Sequence, residues 1–114
     1  MRFVFLIHGD SDGEAALGAD ERRAIFEQHM AYSEMLSERG VNIASEALEG
    51  PETALVVRPG PKSIVTDGPF AEAKEAIGGF YLVECASRDE AIALARRVPI
   101  SPGVAVEVLS CVEL

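Results

Sequence analysis

The stretch RFVFLIH, residues 2–8, most restricts how this chain can fold, since it is apolar at almost every position. Alternate side chains of an extended strand point to opposite sides of a sheet. One set is Phe3, Phe5 and Ile7, and the other is Val4, Leu6 and His8. A strand that is apolar on both sides must be covered on both sides, so we expect a sheet with two packed faces.

A loop and a long helix are predicted to follow this strand. Residues 9–18 are rich in turn-forming and acidic residues, which indicates a loop. The next segment is predicted to be a helix from about Ala19 to Arg39, because Gly40 stands where helices commonly end. Its inward stripe, at spacings of four, three and four, is Ile25, His29, Tyr32 and Leu36.

Five further strands and a second helix are predicted from turn signals, alternation and a capping pattern. The predicted strands are Asn42–Leu48, Thr53–Arg58, Lys62–Asp67, Ile77–Cys85 and, last, Val104–Leu114. Residues 67–75 are predicted to form a turn that enters a short helical piece. Ser87 and Glu90 have the spacing of a capping box, which predicts a helix that Pro99 ends.

This order of elements is typical of an α+β domain with two helices on one face of a mainly antiparallel sheet. With 114 residues, the chain has room for a single domain, 1–114. Two helices can cover one face only, and an apolar second face would be larger than soluble monomers usually expose. We therefore predict a homodimer formed through the sheet face.

The charge of the chain argues against several classes of partner. A net charge of −9 repels phosphate backbones and anionic lipid heads, so neither nucleic-acid nor membrane binding is expected. No apolar run is long enough to cross a bilayer, and the N-terminus lacks the layout of a signal peptide, so a cytoplasmic location is expected. Cys85 and Cys111 are interpreted as buried reduced thiols, with a disulfide left open if their strands pair in register.

One long motif resembles a known family. The segment VTDGPFAEAKE, residues 65–75, followed by IGGFYLV, residues 77–83, is similar to the signature of the YCII-related proteins, in the branch named for its Asp-Gly-Pro-Phe motif. The resemblance extends through nearly the whole chain. It implies a ferredoxin-like βαββ(β)αβ fold that dimerises as an α+β barrel, and candidate enzymes that carry a His–Asp pair in a cleft.

The resemblance maps the aspartate of that pair onto Asp67, and His29 is the natural candidate for the histidine. A carboxylate near an imidazole fixes its tautomer and raises its basicity, which suits proton abstraction. Two alternatives are open: His29 as a core histidine bonded to a backbone carbonyl, and Asp67 as a turn or cap residue.

The remaining candidates would bind substrate around this pair. Gly68 would permit a positive φ or a close ligand, Pro69 would stiffen the turn, and Phe70 would offer a ring for stacking or for plain core packing. Lys74 would draw an anionic substrate inward, unless it belongs to a solvated face. The other two candidates are His8 and Tyr32.

No spacing in the chain matches a metal site or a phosphate-binding loop, so no metal and no cofactor are predicted. Three functions are open at this point. They are a small-molecule enzyme of the general acid–base type, a non-catalytic ligand-binding or regulatory homodimer, and an interaction module.

Overall fold

The computed structural model describes residues 1–10, 16–70 and 75–114, with the side chain of residue 75 left out. It contains six strands and two α-helices within those ranges. In chain order they are β1 (Arg2–Asp10), α1 (Ala19–Glu38), β2 (Asn42–Ala47), β3 (Leu55–Arg58), β4 (Ile64–Asp67), β5 (Glu75–Glu84), α2 (Arg88–Ala95) and β6 (Ala105–Ser110). This order of helices and strands is the predicted one.

Four of the strands form one antiparallel sheet in the spatial order β2-β5-β1-β6. The first strand therefore lies between the strands that flank the second helix, as in a ferredoxin-like fold. Phe5 pairs with Tyr81 on one side and with Val108 on the other. The predicted α+β fold, with two helices and a mainly antiparallel sheet, is confirmed.

The helices and the sheet enclose the core on one face of the sheet. Its largest fully buried side chains are Phe3 and Phe5 of β1, Leu36 of α1, Val83 of β5 and Leu94 of α2. Phe3, Phe5 and Leu36 belong to sets that the 2-residue and 3.6-residue periods predicted to share one face. Burial of one such side chain stabilises the fold by about 1.5–3 kcal/mol, so this shared core holds both helices on the sheet.

The opposite face of the sheet, which we call the outer face, carries the other set of strand residues. Its apolar members are Val4, Leu6, Phe80, Leu82 and Leu109. None of them reaches the burial of the core residues, and Leu109 is 43% exposed. The outer face is thus apolar, and none of the described elements packs over it.

The strands β3 and β4 form a separate two-stranded sheet, which we call the ribbon (residues 55–67). Leu55 pairs with Asp67, and Arg58 pairs with Ile64. The prediction that every strand joins one sheet is wrong here, because alternation identifies a strand without identifying its partner. The ribbon exposes its apolar side chains, with Leu55 66% and Val57 56% exposed.

Several element boundaries differ from the predicted ones. β1 continues to Asp10, where a loop was expected, because Gly9 and Asp10 still pair with Ala76 and Glu75. β5 accordingly begins at Glu75, so the short helix predicted to reach that residue is wrong at its end, and residues 71–74 lie outside the described ranges. β6 ends at Ser110, opposite Phe3, although the backbone N–H of Cys111 still donates to the carbonyl of Arg2 at 2.9 Å.

Both helix-end signals are confirmed. Gly40 follows α1 with a φ of 72°, a left-handed conformation that glycine adopts without steric cost. At α2, the backbone N–H of Glu90 donates to Ser87 Oγ at 3.1 Å. The Glu90 carboxylate accepts from the backbone N–H of Ala86 at 2.8 Å, so it reaches back to the residue before the N-cap and not to Ser87 itself as in a standard capping box.

The two cysteines are free, as the sequence indicated. Cys85 is buried, and burial raises the pKa of its thiol. Cys111 is only half-buried, which corrects the expectation that both are buried, because it follows the last residue of β6. No helix in the described ranges is both long and apolar enough to cross a membrane.

We predict that Ser87→Ala lowers the free energy of unfolding by about 1 kcal/mol, because the first turn of α2 loses its side-chain hydrogen-bond acceptor. Urea denaturation followed by circular dichroism measures this change. Ser63→Ala, at an exposed serine between β3 and β4, is the control and should change stability little. An equal loss in both variants would contradict the stabilising role of the cap.

Candidate functional site

A half-buried histidine on α1 meets a tyrosine of the sheet. His29 Nδ1 lies 2.7 Å from the hydroxyl oxygen of Tyr81. The two rings are stacked, with centroids 6.0 Å apart and planes 14° from parallel. Tyr81 pairs with Phe5 in the centre of the sheet and is itself buried, so its side chain points to the helix side. The first polar partner of His29 is therefore a phenol.

A second tyrosine completes this cluster. Tyr32, one turn after His29 on α1, contacts the Tyr81 ring edge to face, with centroids 5.0 Å apart. Its hydroxyl donates to the backbone carbonyl of Leu94 at 2.7 Å, which ties α1 to α2. We call these three rings (His29, Tyr32 and Tyr81) the ring cluster. The substrate-binding role predicted for Tyr32 stays a prediction.

Burial sets the protonation of the ring cluster. Desolvation lowers the pKa of His29 below its ordinary value, since the charged imidazolium loses water contacts. Burial raises the pKa of Tyr81 to about 12. It also raises the pKa of Tyr32, with a smaller contribution from neighbouring Tyr81. At neutral pH the imidazole is therefore uncharged and both phenols keep their protons, so His29 can accept a proton.

The predicted partner of His29, Asp67, lies in a different part of the fold. It is the last residue of β4, and it is exposed. Within the described ranges, the hydrogen-bond partner of His29 is Tyr81 and no contact joins it to Asp67. The alternative of a core histidine bonded to a backbone carbonyl is not what the structure has either. The His29–Asp67 pair stays a prediction.

The residues after Asp67 lie next to Ala54, at the end of the ribbon where β3 begins and β4 ends. Gly68 donates its N–H to the carbonyl of Ala54 at 2.8 Å. A Cβ at position 68 would lie 3.1 Å from the Ala54 side chain, so the glycine permits this close approach. Its φ is not positive, which corrects one of the two roles predicted for it. Pro69 follows, joined to Gly68 by a cis peptide bond, and it is exposed.

Phe70 is 78% exposed, so the prediction of plain core packing is wrong. The guanidinium of Arg58 lies 5.7 Å from the centroid of its ring, a cation–π distance. The ring is thus available for packing against another molecule. Lys74, the remaining candidate of this segment, lies outside the described residues.

The histidine of β1 lies on the other side of the sheet. His8 pairs with Ala105, whereas the adjacent Ile7 packs against the core, so the His8 side chain belongs to the outer face. Its Nε2 is 2.9 Å from the carboxylate of Glu107. The sheet therefore separates His8 from the ring cluster, and the predicted grouping of His8 with His29 in one site is wrong. His8 stands three positions after Phe5, an odd number, so the alternation of the strand places their side chains on opposite faces.

Two functional candidates were not identified from the sequence, namely Tyr81 and Glu107. The sequence does contain a signal for both, because each has a polar group on its side chain and stands in a strand of alternating pattern. Alternation shows that Tyr81 shares a face with Val83, but it does not show which helix residue lies above it. In the described ranges, no group of three or more metal-ligating side chains converges.

We predict that the folded protein loses stability as the pH falls through the region near and below the ordinary histidine pKa of about 6.5, and that His29 contributes to this loss. Because burial lowers the pKa of His29 in the folded state, the unfolded chain binds more protons there. The contribution is fully present above the unfolded pKa. His29→Gln should flatten the pH dependence of urea denaturation, whereas Glu27→Gln on the exposed side of α1 should not. Identical pH profiles for wild type and His29→Gln would contradict this assignment.

Comparison with known proteins agrees with this architecture. The model of the YCII-related domain matches residues 1–111 of the chain. An uncharacterized protein of Rhizobium meliloti (strain 1021) is 35% identical over 98 residues, which cover 84% of this chain and 78% of that protein. A match over nearly the full chain, together with the βαβ order and the central first strand, establishes the family. The chain belongs to the YCII-related domain family.

Proposed function

We propose that the protein is a homodimer whose two sheets meet through their outer faces. The observation that carries this proposal is the uncovered apolar surface formed by Val4, Leu6, Phe80, Leu82 and Leu109. Contiguous apolar patches of this kind on a small protein mark interaction surfaces. In a dimer with a two-fold axis, the same surface of each copy packs against that of the other, so both surfaces are covered.

We also propose that the chain belongs to one branch of the family and to one superfamily. The Asp67–Phe70 motif supports the branch named for Asp-Gly-Pro-Phe, and the ferredoxin-like sheet supports the dimeric α+β barrel superfamily. A cytoplasmic location fits the free thiols of Cys85 and Cys111, which would be expected to oxidise or pair in a secreted protein.

Within each copy, the ring cluster is the best-supported site for small-molecule chemistry. His29 is uncharged at neutral pH and only partly exposed, as a general base should be. In the tautomer that carries its hydrogen on Nδ1, the imidazole donates to the Tyr81 hydroxyl and leaves the Nε2 lone pair for a substrate proton. Tyr81 then orients the ring, which is the task expected of a carboxylate in the His–Asp hypothesis.

We also propose that Asp67, which lies in a different part of the fold from the ring cluster, acts as a second acid–base group. Its exposed carboxylate stands at the base of the ribbon, beside Gly68 and the exposed ring of Phe70. These residues carry the family motif, and a substrate with an apolar part would contact the Phe70 ring.

One observation favours a second candidate function. In the described ranges, His29 has a phenol for a partner and no carboxylate, so nothing there raises its basicity. A ligand-binding or regulatory homodimer needs no such activation. It would bind a metabolite at the ring cluster without turning it over.

We expect the wild-type protein to have the mass of a dimer at micromolar concentration and Leu6→Glu to be a monomer, because the new carboxylate would have to be buried between the sheets. Size-exclusion chromatography with light scattering measures the mass. Val57→Glu places the same charge on the exposed ribbon and should leave the dimer intact. A monomeric wild type, or a dimeric and folded Leu6→Glu variant, would rule out this interface.

For the acid–base role, we expect His29→Gln to lower the turnover of a substrate found by screening small carbon acids and esters by about 100-fold or more, the usual contribution of a general base. Asp67→Asn should also lower it, and Glu27→Gln should not. Full activity in folded His29→Gln and Asp67→Asn variants would disprove the assignment. Saturable binding by calorimetry without turnover would favour the second candidate.

A further inference from the structure

The ribbon projects from the rest of the fold. Neither of its strands packs closely against any described element except the other strand. The radius of gyration of the Cα atoms is 15.7 Å, against about 13 Å for a compact domain of this length. Because two strands alone are marginally stable in water, the ribbon gains stability when it contacts another surface.

One face of the ribbon presents a cation beside an aromatic ring. Arg58 pairs with Ile64, so the two share a face, whereas Val57 and Val65 lie on the opposite one. The Arg58 guanidinium lies 5.7 Å from the centroid of the Phe70 ring. Ile64 is 54% exposed and Phe70 is 78% exposed. Arginine and aromatic side chains of this kind are enriched where proteins associate, so this face has the character of an interface.

The ribbon is also the cationic part of an acidic protein. Residues 53–66 contain Arg58 and Lys62 and no acidic residue, although the whole chain has a net charge of −9. Within the described ranges, no carboxylate lies at ion-pair distance from either side chain. The remainder of the chain is therefore more acidic than the whole, and a second copy attracts the ribbon electrostatically.

Glu46 is an exposed carboxylate on the outer face, since it pairs with Phe80 across the sheet. The other two carboxylates of this face lie beside ionisable side chains, in the pairs Arg2–Glu84 at 3.7 Å and His8–Glu107 at 2.9 Å. Among the described residues, no cation pairs with Glu46. When a second copy covers the outer face, this carboxylate loses water contacts, and a counter-charge would offset that cost.

The ribbon is the part of the described chain that can supply this counter-charge. The arginines on or directly after α1 and α2 lie in the helix layer, which covers the opposite side of the sheet, at positions 22, 23, 39, 88, 96 and 97. Arg2 is already beside Glu84. Arg58 suits the role better than Lys62, because it stands in a strand with its guanidinium against Phe70, whereas Lys62 stands in the turn.

Given the outer-face dimer proposed above, on which this contact depends, we propose that the ribbon is an arm that crosses to the second copy and pairs Arg58 with the partner's Glu46. Glu46 belongs to β2, an edge strand of the main sheet. It therefore stands at the rim of the outer face, where an arm can reach it while the central strands are covered by the other sheet. A two-fold axis forms this contact twice in each dimer.

The test measures the dissociation constant of the dimer, with the full chain, by light scattering over a dilution series. We expect Arg58→Glu alone and Glu46→Arg alone each to weaken the dimer by about tenfold or more, because each sets like charges together. The double variant Arg58→Glu/Glu46→Arg should restore the wild-type affinity. Both positions are exposed, so the variants should fold, which circular dichroism checks. A double variant no tighter than the single variants would overturn the proposal.

Two matched variants control for charge alone. Arg58→Glu/Glu27→Arg changes the net charge as the first double variant does, but its new arginine lies on the exposed side of α1, so it should stay as weak as Arg58→Glu. Lys62→Glu, in the turn of the ribbon, should weaken the dimer less than Arg58→Glu. Restoration by Glu27→Arg, or an equal effect of Lys62→Glu, would overturn the pairing. A monomeric wild type would overturn the outer-face dimer itself, whereas a dimeric wild type without rescue overturns the arm alone.

Discussion

The antiparallel pairing of β1 between β5 and β6 is the interaction on which the rest of the molecule depends. A central strand presents two rows of side chains, and in β1 both rows are apolar. The row of Phe3 and Phe5 is covered by α1 and α2, and the resulting core holds the helices in place. The other row is not covered by any element in the described part of the chain. The same strand therefore accounts for the internal core and for the surface through which we propose that two copies associate.

This central strand also divides the polar chemistry of the protein into two environments. On the helix side, His29 meets a phenol, and partial burial lowers the pKa of the imidazole. On the outer side, His8 meets the carboxylate of Glu107 at a sheet surface that water still reaches. The two histidines thus have different hydrogen-bond partners on opposite faces of one sheet.

The Asp67–Phe70 segment lies outside the buried core. Asp67 ends the ribbon, and Phe70 follows it with an exposed ring beside Arg58. Isolated two-stranded ribbons are of marginal stability in water, so one with apolar faces gains from contact with another surface. A segment of this kind can adjust to a ligand or to a neighbouring copy more readily than the four-stranded sheet can.

The sequence alone determined the order of the elements, the inward stripe of α1, the cap of α2 and the alternation of β1, because each depends on residues a few positions apart. It also identified His29 as a candidate. Only the tertiary structure decided which residues meet: Tyr81 with His29, and Glu107 with His8 across 99 residues of chain. It likewise decided that the ribbon stands apart from the main sheet. Local spacing specifies which face a side chain takes, whereas its partner depends on strand register, which the packing of distant segments sets.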